Sequence, residues 1–402
     1  MNRDTPLAPA PILDAVSGTT AEDKTSPFRT GGRLAALLPM TGDRMPTIDS
    51  GKPLVDGHRL LTLAAVEPDS ELVSSYWLAS PDGTALPAPA AGQYLPIAVD
   101  VPGHGVLQRT YTISAYEAGC YRLSIKRDRV PGQPPGRVSN HIHDHWAVAD
   151  RVSAGAPQGH FVLDTKSTRP VVLLAGGIGI TPLIAMLREL AVRDAARKVV
   201  LIVGMRHHRD HPFRSEVADL ARHMPNLTVH VRYSEPPEDG SEGQAPDSFG
   251  RIDQALLRNL VPATDVDVYL CGPGPFMSAM NRALAALGVP DKRVRVEAFG
   301  PATIDHRREP APAAIPDSDS VVSFAKSDLT APFDPRALNL LEFAEDLGFS
   351  PPFNCRSGSC GACATRKLSG ATRYAEEPTA VVADNEILIC CAVPAGPVRL
   401  DL

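Results

Sequence analysis

The spacing of apolar residues changes character four times along this 402-residue chain. Residues 1–55 show no sustained apolar period and read as a mostly disordered extension with one short helix near "GGRLAALL". From 56 to 168, apolar and polar positions alternate in short runs such as "GQYLPIAVD" (92–100) and "QRTYTISAY" (108–116). A period of two predicts antiparallel strands, and so many runs in succession predict a β-barrel. From 169 to 301, apolar strand-like runs alternate with helical periods, which predicts a parallel, doubly wound α/β domain. Residues 302–319 are rich in proline and charge, lack an apolar period and read as a linker. A last unit, 320–402, offers a strand at "VVSFA" (321–325), a helix at "NLLEFAEDLG" (339–348) and a closing strand at "VRLDL" (398–402). In that helix Leu340, Phe343, Ala344 and Leu347 share one face and Gly348 is the stop.

Composition narrows the chemistry. At 43% apolar residues the chain can bury sizeable cores, and a net charge of −6 without a basic block argues against nucleic acid as a partner. No apolar run reaches the roughly 18 residues of a membrane span. The start, "MNRDTPLAPAPILDAVSGTT", lacks the basic head and apolar core of a signal peptide, so a cytoplasmic location is expected. Thiols stay reduced there, and clustered cysteines then point to metal or catalysis rather than disulfides.

Of seven cysteines, four fall in the last fifty residues. Cys355, Cys360 and Cys363 lie in "CRSGSCGAC", spaced C-x4-C-x2-C, with Cys390 and Cys391 following in "ILICCAVP". A zinc ribbon would offer two C-x2-C pairs, whereas this chain has one. The spacing matches the plant-type [2Fe–2S] run, C-x4-C-x2-C…C. Gly358 and Gly361 keep side chains away from cluster sulfurs and reach positive φ cheaply.

A single-electron centre needs a supplier of single electrons. Residues 171–190, "VVLLAGGIGITPLIAMLREL", predict a buried strand (Val171–Leu174), a turn at Gly176-Gly177-Ile178-Gly179, and a helix capped by Thr181 with Pro182 in its first turn. Free N–H groups and a helix N-terminus then converge on one point, which suits a pyrophosphate. A second apolar strand ends in "VYLCGPGPFMSAM" (268–280), and "RVEAFGP" follows at 295–301.

Together with "GQY" and "RTYT" upstream, these strings resemble, in order, the ferredoxin–NAD(P)⁺ reductase superfamily, and in particular the reductase portion of flavohaemoglobins and related oxygenase reductases. The last stretch resembles plant-type ferredoxins, which implies a β-grasp fold. The resemblance implies that Tyr94, Arg109, Thr110, Tyr111 and Thr112 hold a flavin, with Lys126 and Ser139 near its phosphates. It implies that Gly176, Gly177, Gly179 and Thr181 bind the pyridine nucleotide, that Cys271, Gly272 and Pro273 line the nicotinamide pocket, and that Glu297, Phe299 and Gly300 close the site. The lead-in "IL" implies Cys390 as the fourth ligand beside Cys355, Cys360 and Cys363; on a strand Cys391 would face the other way as a packing residue.

The "APQGHF" run (156–161) resembles the FAD-binding branch of the family, which favours FAD, with FMN the alternative. NADH is favoured over NADPH, although Arg206 and Arg209 after the second nucleotide-domain strand could pair with a 2′-phosphate. "HIHDHW" (141–146) falls one residue short of a hydrolase metal motif, "RHHRDH" (206–211) reads as solvated surface or cofactor edge, and Cys120 sits at a hairpin turn. The expected activity is electron transfer from NADH through the flavin to the cluster and on to an acceptor protein such as an oxygenase or desaturase. Nitric oxide dioxygenation would need a globin, which 55 patternless residues do not make. The alternative is a redox sensor that binds its partner according to cluster state.

Overall fold

The structure is a computed structural model. It describes residues 52–129, 136–235, 246–299 and, with breaks at 335–336, 338, 350, 352, 354–357, 359–360, 362, 375–377 and 379–381, residues 320–402. The expected N-terminal extension, apart from residues 52–55, and the expected linker lie outside the described residues.

The alternating segment forms six strands, β1 (Arg59–Pro68), β2 (Val73–Ala79), β3 (Tyr94–Val101), β4 (Gly105–Glu117), β5 (Cys120–Lys126) and β6 (Arg151–Ala154). They close into a barrel of order β1-β2-β5-β4-β3-β6, with every pairing antiparallel. Leu61, Leu63, Leu95, Ile97, Leu123 and Ile125 fill it, and helix α1 (Arg137–His145) adds Val138 and Ile142 to the same core. Ala118 and Gly119 both have positive φ, the requirement of the tight turn that joins β4 to β5 and leaves Cys120 beside it.

The next unit contains β7 (Val171–Gly176), α2 (Ile180–Arg193), β8 (Val199–Met205), α3 (Arg214–His223), β9 (Leu227–Tyr233), β10 (Ser248–Phe249), α4 (Gln254–Leu260), β11 (Asp267–Gly272), α5 (Gly274–Ala286) and β12 (Val294–Ala298). Its six strands are parallel, in the order β10-β9-β8-β7-β11-β12. The period of two sorts each strand between two cores. Val171, Leu173 and Ala175 meet α2 and α3 on one face, while Val172 and Leu174 meet α4 and α5 on the other. Burial on both faces is why these strands read as continuous apolar runs.

The last unit holds β13 (Val321–Phe324), β14 (Leu329–Pro332), α6 (Leu340–Asp346), β15 (Ala364–Tyr374), β16 (Glu386–Leu388) and β17 (Ala392–Leu400), with sheet order β14-β13-β17-β15-β16. β13 and β17 run parallel and the other pairs antiparallel, and the sheet packs on α6 as a β-grasp. Asn339 caps α6 by accepting from the Glu342 N–H at 2.9 Å. Leu340, Phe343 and Ala344 are buried as expected, but Leu347 falls beyond the last helical turn and is 38% exposed. Among the described residues no helix is long and apolar enough to cross a membrane.

Candidate functional site

The β3–β4 register sets Tyr94 opposite Thr112, Leu95 opposite Tyr111, Pro96 opposite Thr110 and Ile97 opposite Arg109. Directly paired residues share a face of the sheet, so Tyr94 and Thr112 line one surface. Thr112 Oγ1 is buried and has no hydrogen-bond partner in the chain. A buried hydroxyl without a partner costs free energy, so a bound group with a polar atom fits here. The "APQGHF" loop reaches the same place, since Tyr94 and Gln158 exchange backbone bonds of 2.8 and 2.9 Å. Gly159, at φ +113, lets that loop lie against Tyr94: a Cβ there would stand 2.9 Å from the ring. Burial raises the Tyr111 phenol well above its ordinary pKa, so it remains a neutral hydroxyl. Lys126 ends β5, and Ser139 Oγ on α1 accepts from the Asp128 N–H at 3.3 Å. The Arg109 guanidinium lies 5.9 Å from the centre of the Phe353 ring, which joins the barrel to the cysteine-rich unit.

The glycine turn lies at the carboxyl end of β7. There the chain order reverses, with β8 on one side of β7 and β11 on the other, and such switch points are where α/β sheets hold ligands. Three glycines meet at this crevice. A Cβ on Gly179 would lie 2.3 Å from Cys271 O, and one on Gly176 or on Gly272 would lie 2.6 Å from the Phe276 ring. Gly177 has open space around it but a φ of +56. Gly176, Gly179 and Gly272 thus let β7, β11 and α5 close on one another, while the open space stands at Gly177, where a turn at a helix N-terminus fits a pyrophosphate. Thr181 departs from the expected cap: Gly179 precedes α2, and the Thr181 hydroxyl donates to Ile178 O at 3.0 Å from inside the first turn. Pro182 lies in the first turn as expected, and both it and Leu183 are buried.

Cys271 at the end of β11 pairs in register with Glu297 on β12, and Phe299 N–H donates to Gly272 O at 3.0 Å. Burial, and then the Glu297 carboxylate, push the Cys271 thiol well above its usual pKa. It is a neutral packing group at the crevice wall, not a nucleophile. Pro273 follows at the start of α5, whereas Gly300 lies outside the described residues.

Of the cluster cysteines, Cys355 and Cys360 also lie outside the described residues, while Cys363, Cys390 and Cys391 are buried. The Gly358 N–H donates to Cys390 Sγ at 3.3 Å. Gly358 and Gly361 have φ of +69 and +76, as the sequence predicts for a loop that turns its backbone toward sulfur. Cys390 and Cys391 do not sit on a strand. Residues 389–391 form a turn between β16 and β17, so period-two alternation does not apply. Cys391 is therefore not carried to an opposite face: a Cβ on Gly358 would lie 2.8 Å from its sulfur. These buried sulfurs and the N–H aimed at one of them fit an iron–sulfur cluster.

Two other motifs resolve differently. The "HIHDHW" histidines belong to α1, where His143 meets Ile125 O at 2.9 Å and His141 stacks on His145, and the described residues contain no metal-ligating cluster there. "RHHRDH" is not simply solvated. Asp210 and His211 are buried, and His211 Nδ1 lies 3.1 Å from the Tyr233 hydroxyl. Arg209 Nε faces Glu71 Oε2 at 3.6 Å across the two units, and its carbonyl accepts from the Glu71 N–H.

Comparison with known proteins agrees with this geometry. Residues 173–282 match the oxidoreductase NAD-binding domain family, and residues 324–395 match the 2Fe-2S iron-sulfur cluster binding domain family. The flavohemoprotein of Bordetella pertussis is 38% identical over 247 residues, covering 61% of each chain. The chain thus spans about three fifths of the length of the curated relatives it matches. The FAD/NAD-binding domain of a Vibrio cholerae nitric oxide dioxygenase aligns at TM-score 0.55 with 33% identity, covering 60% of this chain and 99% of that one. Phthalate dioxygenase reductase aligns at TM-score 0.58 with 26% identity over 86% of this chain and 98% of its own. Barrel, glycine crevice and cysteine loop thus follow one another as they do in a known order of domains, and the chain belongs to the ferredoxin–NAD(P)⁺ reductase superfamily, as an oxidoreductase with a flavohaemoglobin-type FAD/NAD-binding portion followed by a [2Fe–2S] ferredoxin domain.

Proposed function

We propose that the protein is the reductase component of an oxygenase or similar system, drawing electrons from NADH and delivering them to a separate acceptor protein. The observation that carries this reading is the order of three binding surfaces, with Arg109 on the flavin strand touching Phe353 at the edge of the cysteine loop. When bound, FAD accepts a hydride from NADH and passes its electrons singly to a [2Fe–2S] cluster. The chain's own part is to hold and to orient. Thr112 and Tyr94 line the flavin surface, the Gly176–Gly179 turn takes the pyrophosphate, and Cys271 and Glu297 wall the nicotinamide pocket. Phthalate dioxygenase reductase, described as a modular structure for electron transfer from pyridine nucleotides to [2Fe–2S], supports the assignment of an oxygenase as acceptor.

NADH is the proposed donor, and one observation favours it: the Arg209 guanidinium faces Glu71 at 3.6 Å, a carboxylate that would compete with a 2′-phosphate. Anaerobic mixing with each nucleotide tests the reading. Rapid bleaching of flavin and cluster by NADH is expected, with Arg209→Ala altering the NADH-to-NADPH ratio of kcat/KM by less than about threefold. Absence of cluster reduction by either nucleotide would refute electron transfer, and a tenfold preference for NADPH, about 1.4 kcal/mol, would refute the donor.

A further inference from the structure

Between the barrel and the nucleotide unit lies a buried group of four charged side chains, apart from the residues assigned above to the flavin surface and the glycine crevice. Arg122 on β5 reaches across the interface and grips Glu216 of α3 with both ends of its guanidinium, at 2.8 and 3.2 Å. Arg188 of α2 bridges Glu216 at 2.7 Å and Glu117, the last residue of β4, at 2.8 Å. The side chains are between 6% and 13% exposed. Arg122 Nε also donates to Ser114 Oγ at 3.0 Å, and its guanidinium lies 5.6 Å from the Trp77 ring centre and 4.9 Å from that of Phe213. Phe213 stands just before α3 at φ +60, a left-handed conformation that a bulky residue rarely adopts.

Buried ion pairs are weak evidence for stability, because desolvation offsets most of the attraction. What they supply is direction. Two apolar surfaces can slide by an ångström with little loss, whereas a two-pronged guanidinium–carboxylate pair cannot. The elements joined here matter. β4 carries Arg109–Thr112 and ends at Glu117, about 16 Å farther along the strand. α2 begins at the glycine crevice and carries Arg188 about 10 Å beyond Thr181. One network thus fastens the far end of the flavin strand to the helix that begins the nucleotide site.

We propose that Arg188 and Glu117, with Glu216 and Arg122, are positioning residues that fix how closely the nicotinamide approaches the flavin; this rests on the hydride-transfer reading above. They act through β4 and α2, and a displacement of about 1 Å at a reacting centre can cost on the order of a hundredfold in rate.

The test uses full-length protein loaded with flavin and cluster, mixed anaerobically with NADH. For Arg188→Met, the limiting rate of flavin reduction at saturating NADH should fall about tenfold or more. The Kd for NADH should shift by less than about threefold, and the long-wavelength nicotinamide–flavin charge-transfer absorbance should weaken. Flavin content should be unchanged, and Arg188→Lys should recover part of the rate. Glu117→Gln, a milder change, should lose about threefold. A wild-type limiting rate with a lowered melting temperature would reduce the network to a purely stabilising role and overturn the proposal. So would loss of flavin from both variants. Failure of the wild-type protein to be reduced by NADH would instead refute the hydride-transfer reading itself.

Discussion

Cys390 accepts at its sulfur from the Gly358 N–H, whereas Cys391 donates from its own sulfur to Leu388 O at 3.4 Å. An N–H aimed at a sulfur is the kind of contact that supports a cluster ligand, and the Cys391 sulfur is turned toward a carbonyl instead. Cys390→Ser should therefore strip the protein of iron from about two per chain to less than half that, with loss of the reddish absorption. Cys391→Ser should retain both. Gly358→Ala should fail like Cys390→Ser, since its new Cβ would meet Cys391 Sγ at 2.8 Å and Pro378 Cβ at 2.9 Å.

Thr112 separates the flavin-loaded protein from the empty one. Its buried hydroxyl has no partner in the chain, so Thr112→Val should leave the apoprotein's stability unchanged or slightly raised. The same change should weaken flavin binding about tenfold, the value of one hydrogen bond. Titration of apoprotein with FAD, followed by flavin fluorescence, measures it. Equal affinity in both proteins would place the flavin elsewhere.

At Gly176, Gly179 and Gly272 the crevice should tolerate no methyl group. Gly179→Ala drives a Cβ to 2.3 Å from Cys271 O, a backbone atom that cannot step aside. KM for NADH should rise at least tenfold while flavin content holds. Gly177→Ala meets no atom and bears only the cost of positive φ, about 1–2 kcal/mol, so it should lower the melting temperature more than it disturbs KM.

Acid should attack the protein through His211. Burial first, and the nearby Arg214 charge second, hold its pKa down at about 4, against an ordinary 6.5. The folded state thus favours the neutral ring. The stability linked to this group is fully present above pH 6.5 and is lost as pH falls toward 4, by roughly 3 kcal/mol at most. His211→Gln, which can still meet the Tyr233 hydroxyl, should give a flatter curve of melting temperature against pH across that window.

The sequence revealed what has a period or a spacing. Strand alternation predicted the barrel, strand–helix alternation the nucleotide sheet, and the intervals between Cys355, Cys360 and Cys363 the cluster chemistry. It could not reveal which distant glycines share one gap, because Gly179 meets Cys271 only after β7 and β11 have paired. An alternating run such as "YRLSIK" turns Arg122 outward without saying what covers that face. Arg122 does point away from the barrel interior, but α3 of the next unit covers that face. The expectation for Cys391 fails for a related reason: alternation holds within a strand, and the chain turns at residues 389–391.

The Arg122–Glu216 pair also decides what counts as one melting body. If the chain were cut between β6 and β7, the barrel would expose Trp77 and a guanidinium shaped for an absent carboxylate, and α3 would expose Phe213 and Glu216. Both charges would regain water, which offsets the lost attraction, so the cost of the cut falls on the uncovered Trp77 and Phe213 rings. The sequence shows two domains here, but heat should find one: barrel and nucleotide sheet are expected to unfold in a single calorimetric transition, and neither half, expressed alone, should keep the melting temperature it has in the whole chain.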